Sequence, residues 1–163
     1  MTIDRHPSVM DSTVLRYLQK SVLCWLATID ENGCPNVSPK EIFCASGNGL
    51  LLIANIASPG SLKNIQTNPQ VCVSFVDVFT QKGFKIKGKA SAIRIGDEAF
   101  PGFASPLAAL AGDRFSFMSL FVIDVQSVEP IVAPSYRLFP DTQEASQINS
   151  VMQRYGVQPI PLN

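Results

Sequence analysis

The spacing of apolar and polar residues divides the chain into short extended runs separated by turns, with helices at the margins. Val14, Leu15, Leu18 and Val22 recur at helical spacing behind Asp11-Ser12-Thr13, whose oxygens suit an N-cap, and predict an amphipathic helix lying across a sheet or barrel mouth. Leu23 to Ile29 is an apolar run, Asp30-Glu31-Asn32-Gly33 carries an Asn-Gly turn signal, and Pro35 to Cys44 resumes an extended pattern; together they predict a β-hairpin. After a second turn at Ser46-Gly47-Asn48-Gly49, the apolar stretch Leu50 to Ala57 is too short for an independent helix and predicts a buried third strand. Ser58-Pro59 opens a short helix whose buried side holds Leu62 and Ile65, and Asn68-Pro69 ends it.

Gln70 to Phe79 alternates as a fourth strand, which Thr80-Gln81-Lys82-Gly83 turns back. From Phe84 to Ile95, Phe84, Ile86, Gly88, Ala90 and Ala92 face one way and Lys85, Lys87, Lys89 and Ser91 the other, so one face packs inward and the other is basic. Gly96 to Phe117 reads as an irregular excursion: Ser105-Pro106 begins a small helix through Leu110, with Pro101, Gly102 and Gly112 as breaks. Met118 to Val128 predicts a last strand, followed by Pro130, Pro134 and Pro140 and a helix from about Thr142 to Tyr155. Six strands joined mostly by hairpins, with one helix inserted after the third, predict a mainly β (α+β) six-stranded antiparallel barrel with peripheral helices. The length of 163 residues suits a single domain over 1–163: a helical cap at 11–22, a barrel core at 23–128 and a C-terminal tail and helix at 129–163.

Composition adds constraints. Lys plus Arg and Asp plus Glu each total 13, so no global field draws nucleic acid or an anionic membrane to the surface. With 46% hydrophobic and only 16% charged residues, some apolar surface is expected to be hidden by a second copy or by a flat aromatic ligand. Met1 to Ser12 has no apolar core, so it reads as neither signal peptide nor membrane span, and a cytoplasmic location is expected. Cys24, Cys34, Cys44 and Cys72 lack Cys-x-x-Cys spacing and read as thiols that pack in the core. The single histidine, His6, lies in the N-terminal tail, so no metal site is expected.

The common nucleotide-binding glycine loops and the Gly-x-Ser-x-Gly hydrolase elbow are absent, and a serine or cysteine triad has no evident base. The best anion site is the helix entrance Ser58-Pro59-Gly60-Ser61, where unpaired amides, a positive helix end and two hydroxyls converge, with Lys63 and Asn64 one turn on. Ser58 serving only to cap its own helix is the alternative. Lys85, Lys87 and Lys89 either attract an anion or line a solvated exterior. Asn36, Ser38 and Lys40 form a polar stripe that edge solvation or ligand contact explains equally well.

Taken together, the run from Leu52 to Val71, with Ala54-Asn55-Ile56-Ala57-Ser58-Pro59-Gly60-Ser61-Leu62-Lys63-Asn64-Ile65 at its centre, resembles the central motif of flavoproteins related to pyridoxamine 5′-phosphate oxidase. Gly83-Phe84-Lys85-Ile86-Lys87-Gly88-Lys89-Ala90 resembles the strand that follows it in that family. The likeness extends from about Leu23 to Ile95, more weakly through Met118 to Val128, and implies a split β-barrel that binds FMN. It implies that Ser38, Pro39 and Lys40, with Ile53, Ala54 and Asn55, contact the isoalloxazine and ribityl parts. Ser58, Ser61, Lys63 and Asn64 would surround the phosphate, with Lys87 adding charge.

The resemblance further implies a homodimer with the flavin site between subunits, which Met118 to Val128 and the low charge would suit. Two departures stand out. Many relatives carry a basic residue where this chain has Gly60, so phosphate affinity would rest on Lys63, Lys87 and the helix end. The C-terminal residues that hold pyridoxal phosphate in the true oxidase are not recognisable in Ala133-Pro134-Ser135-Tyr136-Arg137-Leu138, which argues against vitamin B6 oxidation. The leading expectation is an FMN-dependent oxidoreductase acting on a small molecule or with an electron donor. A flavin-binding or electron-carrying module, an apo dimer and a haem-handling split barrel are the alternatives.

Overall fold

Glu41 and Ile42 break the second expected strand in two, and that break sets the architecture. The computed structural model describes residues 10–47 and 49–161, so His6, most of the N-terminal segment and Asn48 of the second turn lie outside it. Within the described residues the elements run α1 (Ser12–Lys20), β1 (Cys24–Ile29), β2 (Pro35–Lys40), β3 (Phe43–Ser46), β4 (Leu50–Ala54), α2 (Pro59–Thr67), β5 (Gln70–Asp77) and β6 (Lys82–Arg94). They continue with α3 (Phe100–Ala111), a 3-10 turn at Gly112–Arg114, β7 (Ser119–Val132), α4 (Pro134–Leu138) and α5 (Glu144–Tyr155).

The sheet is antiparallel throughout its ladders, with seven strands in the order β2-β1-β5-β6-β7-β4-β3, not the six expected. β2 and β3 stand at opposite ends of that order, yet Lys40 and Phe43 are only three residues apart. A chain covers at most about 3.6 Å per residue, so the two edges lie within roughly 11 Å of one another and the sheet curls into an unclosed barrel. Period-two patterning continued across Glu41 and Ile42 and hid the break. In the structure, the Ile42 carbonyl accepts from the Ala54 amide at 3.0 Å and the Ile42 side chain is buried.

Alternation gives the sheet two faces. Leu26, Leu51, Ile53, Val73, Phe75, Ile86, Phe121 and Ile123 fill the inside of the curl, where Val14 and Leu18 of α1 and Ile65 of α2 close it. Each such apolar side chain contributes about 1.5–3 kcal/mol by leaving water. Asp11 caps α1 as predicted, its Oδ1 accepting from the amides of Thr13 and Val14 at 2.9 Å. On the outside, α3 covers Leu52, Ala54 and Leu120 through Ala104, Leu107 and Ala111.

The helix expected from Ser105 starts earlier, at Phe100. Pro101 sits in its first turn, where an amide has no partner to lose, so it is no break; Pro106 is accommodated within the helix. Gly112, at φ +55, ends it. β7 runs on past Val128 because beyond Asp124 it pairs with β6 and no longer with β4, which leaves Pro130 on a free edge. Of the apolar run from Met118 to Val128, Met118 is exposed and the centre of the strand is covered by the chain itself. Leu120, Phe121 and Ile123 are buried within the chain, whereas Trp25, Val37 and Val22 are exposed.

The strict alternation of β6 is present as predicted, and its glycines are sites of close approach. A Cβ on Gly83 would meet the Phe75 carbonyl oxygen at 2.0 Å, and one on Gly88 the Asp124 carbonyl oxygen at 2.2 Å. Gly88 adjoins a β-bulge: Lys87 pairs with Ser127 and Gly88 with Val125, so Gln126 is the extra residue of β7.

Candidate functional site at the entrance of α2

Pro59 opens α2 because its ring presets the helical φ at a position where no donor is needed. The turn before it is constrained. Ala57 adopts φ +51, in the left-handed region that a residue with a Cβ rarely occupies, a conformation that costs about 1 kcal/mol or more and persists only when surroundings hold it. Asn55 supplies part of that hold. Its amide N–H donates to the Ser119 carbonyl at 3.0 Å and its Nδ2 to the Ser119 hydroxyl at 2.9 Å. Its Oδ1 is buried without a partner.

Ser58 does not cap the helix. Its hydroxyl accepts from the Lys40 ammonium at 2.5 Å and donates to the Ile56 carbonyl at 3.3 Å. The first-turn amides of Gly60 and Ser61 are therefore left without a side-chain capping oxygen, at the positive end of the helix. Open space surrounds Gly60. Below them, the Ser61 hydroxyl lies 3.0 Å from that of Ser38. Asn64, buried, donates from Nδ2 to Thr28 at 3.0 Å and so fastens α2 to β1.

Lys40 is the unusual member of this group. It is 4% exposed, and among the described residues no carboxylate lies within ion-pair distance of it. Burial lowers its pKa from the usual lysine value, which proximity to Cys24 only partly offsets. Burial likewise pushes the Cys24 thiol up to about 12, so at neutral pH Cys24 is uncharged and gives Lys40 no counter-ion. A buried ammonium, unpaired amides at a helix N-terminus and three hydroxyls together make a site that favours an anion, above all a phosphate.

The structure brings Ser38, Lys40, Ser58 and Ser61 together, with Asn64 directly behind them. It places Lys40, which the resemblance assigned to the ring and ribityl parts, beside the hydroxyls assigned to the phosphate. Lys63 turns away to an exposed ion pair with Glu31 at 3.1 Å. Lys87 lies on the other face of the sheet: Ser38 shares a face with Leu26 and Val73, whereas Lys87 shares one with Cys72 and Ala27. There Glu129 holds Lys85 at 3.0 Å and Lys87 at 2.9 Å. Ile53 is fully enclosed in the barrel interior. Pro39, Lys40 and Ala54 line a cleft of about 300 Å³ with Leu23, Glu41 and Ile56.

Leu23, Glu41, Ile56 and Ser119 were not anticipated. Glu41 and Ile56 flank predicted site residues and could have been included by adjacency, whereas Leu23 adjoins none of them and Ser119 meets Asn55 across 64 residues with no local signal. Among the described residues there is no group of three or more His, Cys, Asp or Glu able to hold a metal, and no helix is long and apolar enough to cross a membrane.

Residues 10–149 match the sequence profile of pyridoxamine 5′-phosphate oxidase. No curated protein sequence matches this one significantly. Similar solved structures include HupZ of Group A Streptococcus, at 18% identity and a TM-score of 0.65 over 76% of this chain and 94% of that one. An FMN-binding protein of Syntrophomonas wolfei aligns at 15% identity and a TM-score of 0.61, over 75% and 88% of the two chains. HutZ, the haem storage protein of Vibrio cholerae, aligns at 22% identity and a TM-score of 0.58, over 76% and 94%. At these identities the likeness establishes the shared fold.

Proposed function

Given that this chain belongs to the pyridoxamine 5′-phosphate oxidase family, we propose that it binds FMN at the entrance of α2 and acts as an FMN-dependent oxidoreductase on a small molecule. The observation that carries this reading is Lys40, a buried cation with no carboxylate within ion-pair distance among the described residues, next to uncapped amides and the hydroxyls of Ser38, Ser58 and Ser61. A phosphate monoester supplies the missing negative charge, so the residues present fit the group.

On this reading Lys40, Ser58 and Ser61 hold the phosphate together with the amides of Gly60 and Ser61. Ser38 orients Ser61, and Asn64 holds the helix in register with β1. Pro39, Ala54 and Ile56 offer apolar contact to the ring system, and Asn55, with its free buried acceptor, borders the ribityl chain. Bound FMN supplies hydride or single-electron transfer, and the chain supplies binding, orientation and the local field. Lys40, with its lowered proton affinity, stays charged when an anion neutralises it.

The exposed Trp25 and Val37 on the outer face suit a homodimer, in which Lys85, Lys87 and Glu129 of one copy would lie toward the site of the other. Vitamin B6 oxidation is not part of the proposal. Tyr136 donates to the Thr80 carbonyl at 2.8 Å and Arg137 to the Val132 carbonyl at 3.3 Å, so both side chains of that segment serve the fold.

The test is to add FMN and haem separately to the purified protein and record visible spectra and flavin fluorescence. Quenched, spectrally shifted FMN that a small-molecule reductant can turn over is the expected result. A haem Soret complex with no flavin binding contradicts the proposal in favour of a haem-handling role, and bound FMN that no donor reduces reassigns the protein as a flavin carrier.

A further inference from the structure

A second concavity shares no residue with the cleft beside Lys40. It is a groove of about 450 Å³ between α5 and the tip of the β5–β6 hairpin, walled by Val76, Val78, Ile131 and Val151. Its polar lining residues are Gln81, Arg154 and Tyr155, of which Arg154 alone carries a charge. Lys82 and Glu144, which flank this region, neutralise one another at 2.8 Å. Asp77 is engaged by Lys20 at 2.5 Å. Arg154, by contrast, has no carboxylate within ion-pair distance among the described residues.

The groove therefore combines aliphatic walls with a single uncompensated guanidinium, and its volume falls in the range of small-molecule sites, which are mostly apolar with a few placed polar groups. A guanidinium presents a planar fork that matches a carboxylate, and Gln81 can donate a further hydrogen bond to the same group. We propose that this groove binds a small apolar carboxylic acid, its carboxylate on Arg154 and Gln81 and its hydrocarbon portion against Val76, Ile131 and Val151. Charge complementarity selects an acid over a neutral amphiphile, and the aliphatic walls select it over inorganic anions. The site is independent of the flavin reading and stands or falls separately.

Octanoate, octanol and inorganic phosphate are titrated separately into the full-length protein, wild type and Arg154→Gln, with affinities from calorimetry and sites from backbone amide shifts. Octanoate is expected to bind wild type and shift the amides of Val78, Gln81 and Tyr155. Arg154→Gln, an exposed change that leaves the core intact, is expected to weaken it at least about tenfold, the worth of one charge-assisted contact. Octanol is expected to bind both proteins weakly and alike, and phosphate to leave these amides unmoved. Octanoate affinity unaffected by Arg154→Gln, shifts confined to another surface, or no binding because a second copy fills the groove would each overturn the proposal.

Discussion

Lys40 and Ser58 meet at 2.5 Å, joining the inner end of β2 to the entrance of α2. The contact takes the Ser58 hydroxyl away from capping and leaves a buried ammonium whose hydrogen-bond partner among the described residues is neutral. An arrangement of this kind is costly for the ligand-free protein and favourable once an anion arrives.

Lys40→Met should thus separate stability from binding. The side chains are similar in length, and the replacement removes a buried charge that lacks a counter-ion. The ligand-free variant is expected to be as stable as wild type within about 1 kcal/mol, or more stable, while losing FMN affinity by tenfold or more. Denaturant melts beside flavin titrations check both halves; a variant that is strongly destabilised yet binds FMN normally would make Lys40 a structural residue.

The same lysine sets a pH dependence. Burial lowers its folded-state pKa beneath the unfolded 10.5, so between the two values the unfolded chain holds more protons. Stability of the ligand-free protein should rise with pH through that window, and FMN affinity should fall over it as the ammonium loses its charge. Melts and titrations on the alkaline side of neutrality, repeated with Lys40→Met, should show both trends in wild type and neither in the variant.

Asp77 works in the opposite sense. Burial pushes its carboxyl up, but the Lys20 ammonium and the amides of Phe79 and Thr80 outweigh that and hold it below the usual 3.8. Its contribution is complete above 3.8 and is lost as pH falls through the lowered value. Asp77→Asn is expected to cost about 1–3 kcal/mol at neutral pH, a cost that disappears in acid. Urea melts at several pH values measure the convergence.

Gly88 faces the Asp124 carbonyl oxygen, where a Cβ would stand 2.2 Å away beside the bulge in β7. Neither backbone can move without breaking the ladder. Gly88→Ala is expected to cost about 3 kcal/mol or more, whereas Gly60→Ala, in open space, should be close to neutral in stability. Parallel thermal melts of the two variants provide the comparison.

How much of this was legible in the sequence depended on whether the signal was local. The Asp11 cap, the Asp30-to-Gly33 turn, Pro59 at the start of α2 and the alternation of β6 all follow from a few neighbouring residues, and all appear in the structure. The division of Pro35 to Cys44 was not legible, because Glu41 and Ile42 carry no breaker. Only pairing with β1 on one side and β4 on the other shows that the two halves belong to opposite edges. The separation of Lys87 from Ser61 within one chain was hidden for a related reason: sequence shows that the lysines of β6 share a face, but register decides which face, and here it is the one away from α2. The role of Asn55 depends on Ser119, a partner supplied by a distant strand.

Calorimetric titration of wild type and Lys40→Met with FMN and with riboflavin decides whether the entrance of α2 is a phosphate site for a flavin. Wild type is expected to prefer FMN by at least about tenfold, and Lys40→Met to abolish the preference while leaving riboflavin affinity unchanged. Equal affinity of wild type for FMN and riboflavin, or a preference that survives Lys40→Met, would contradict that assignment.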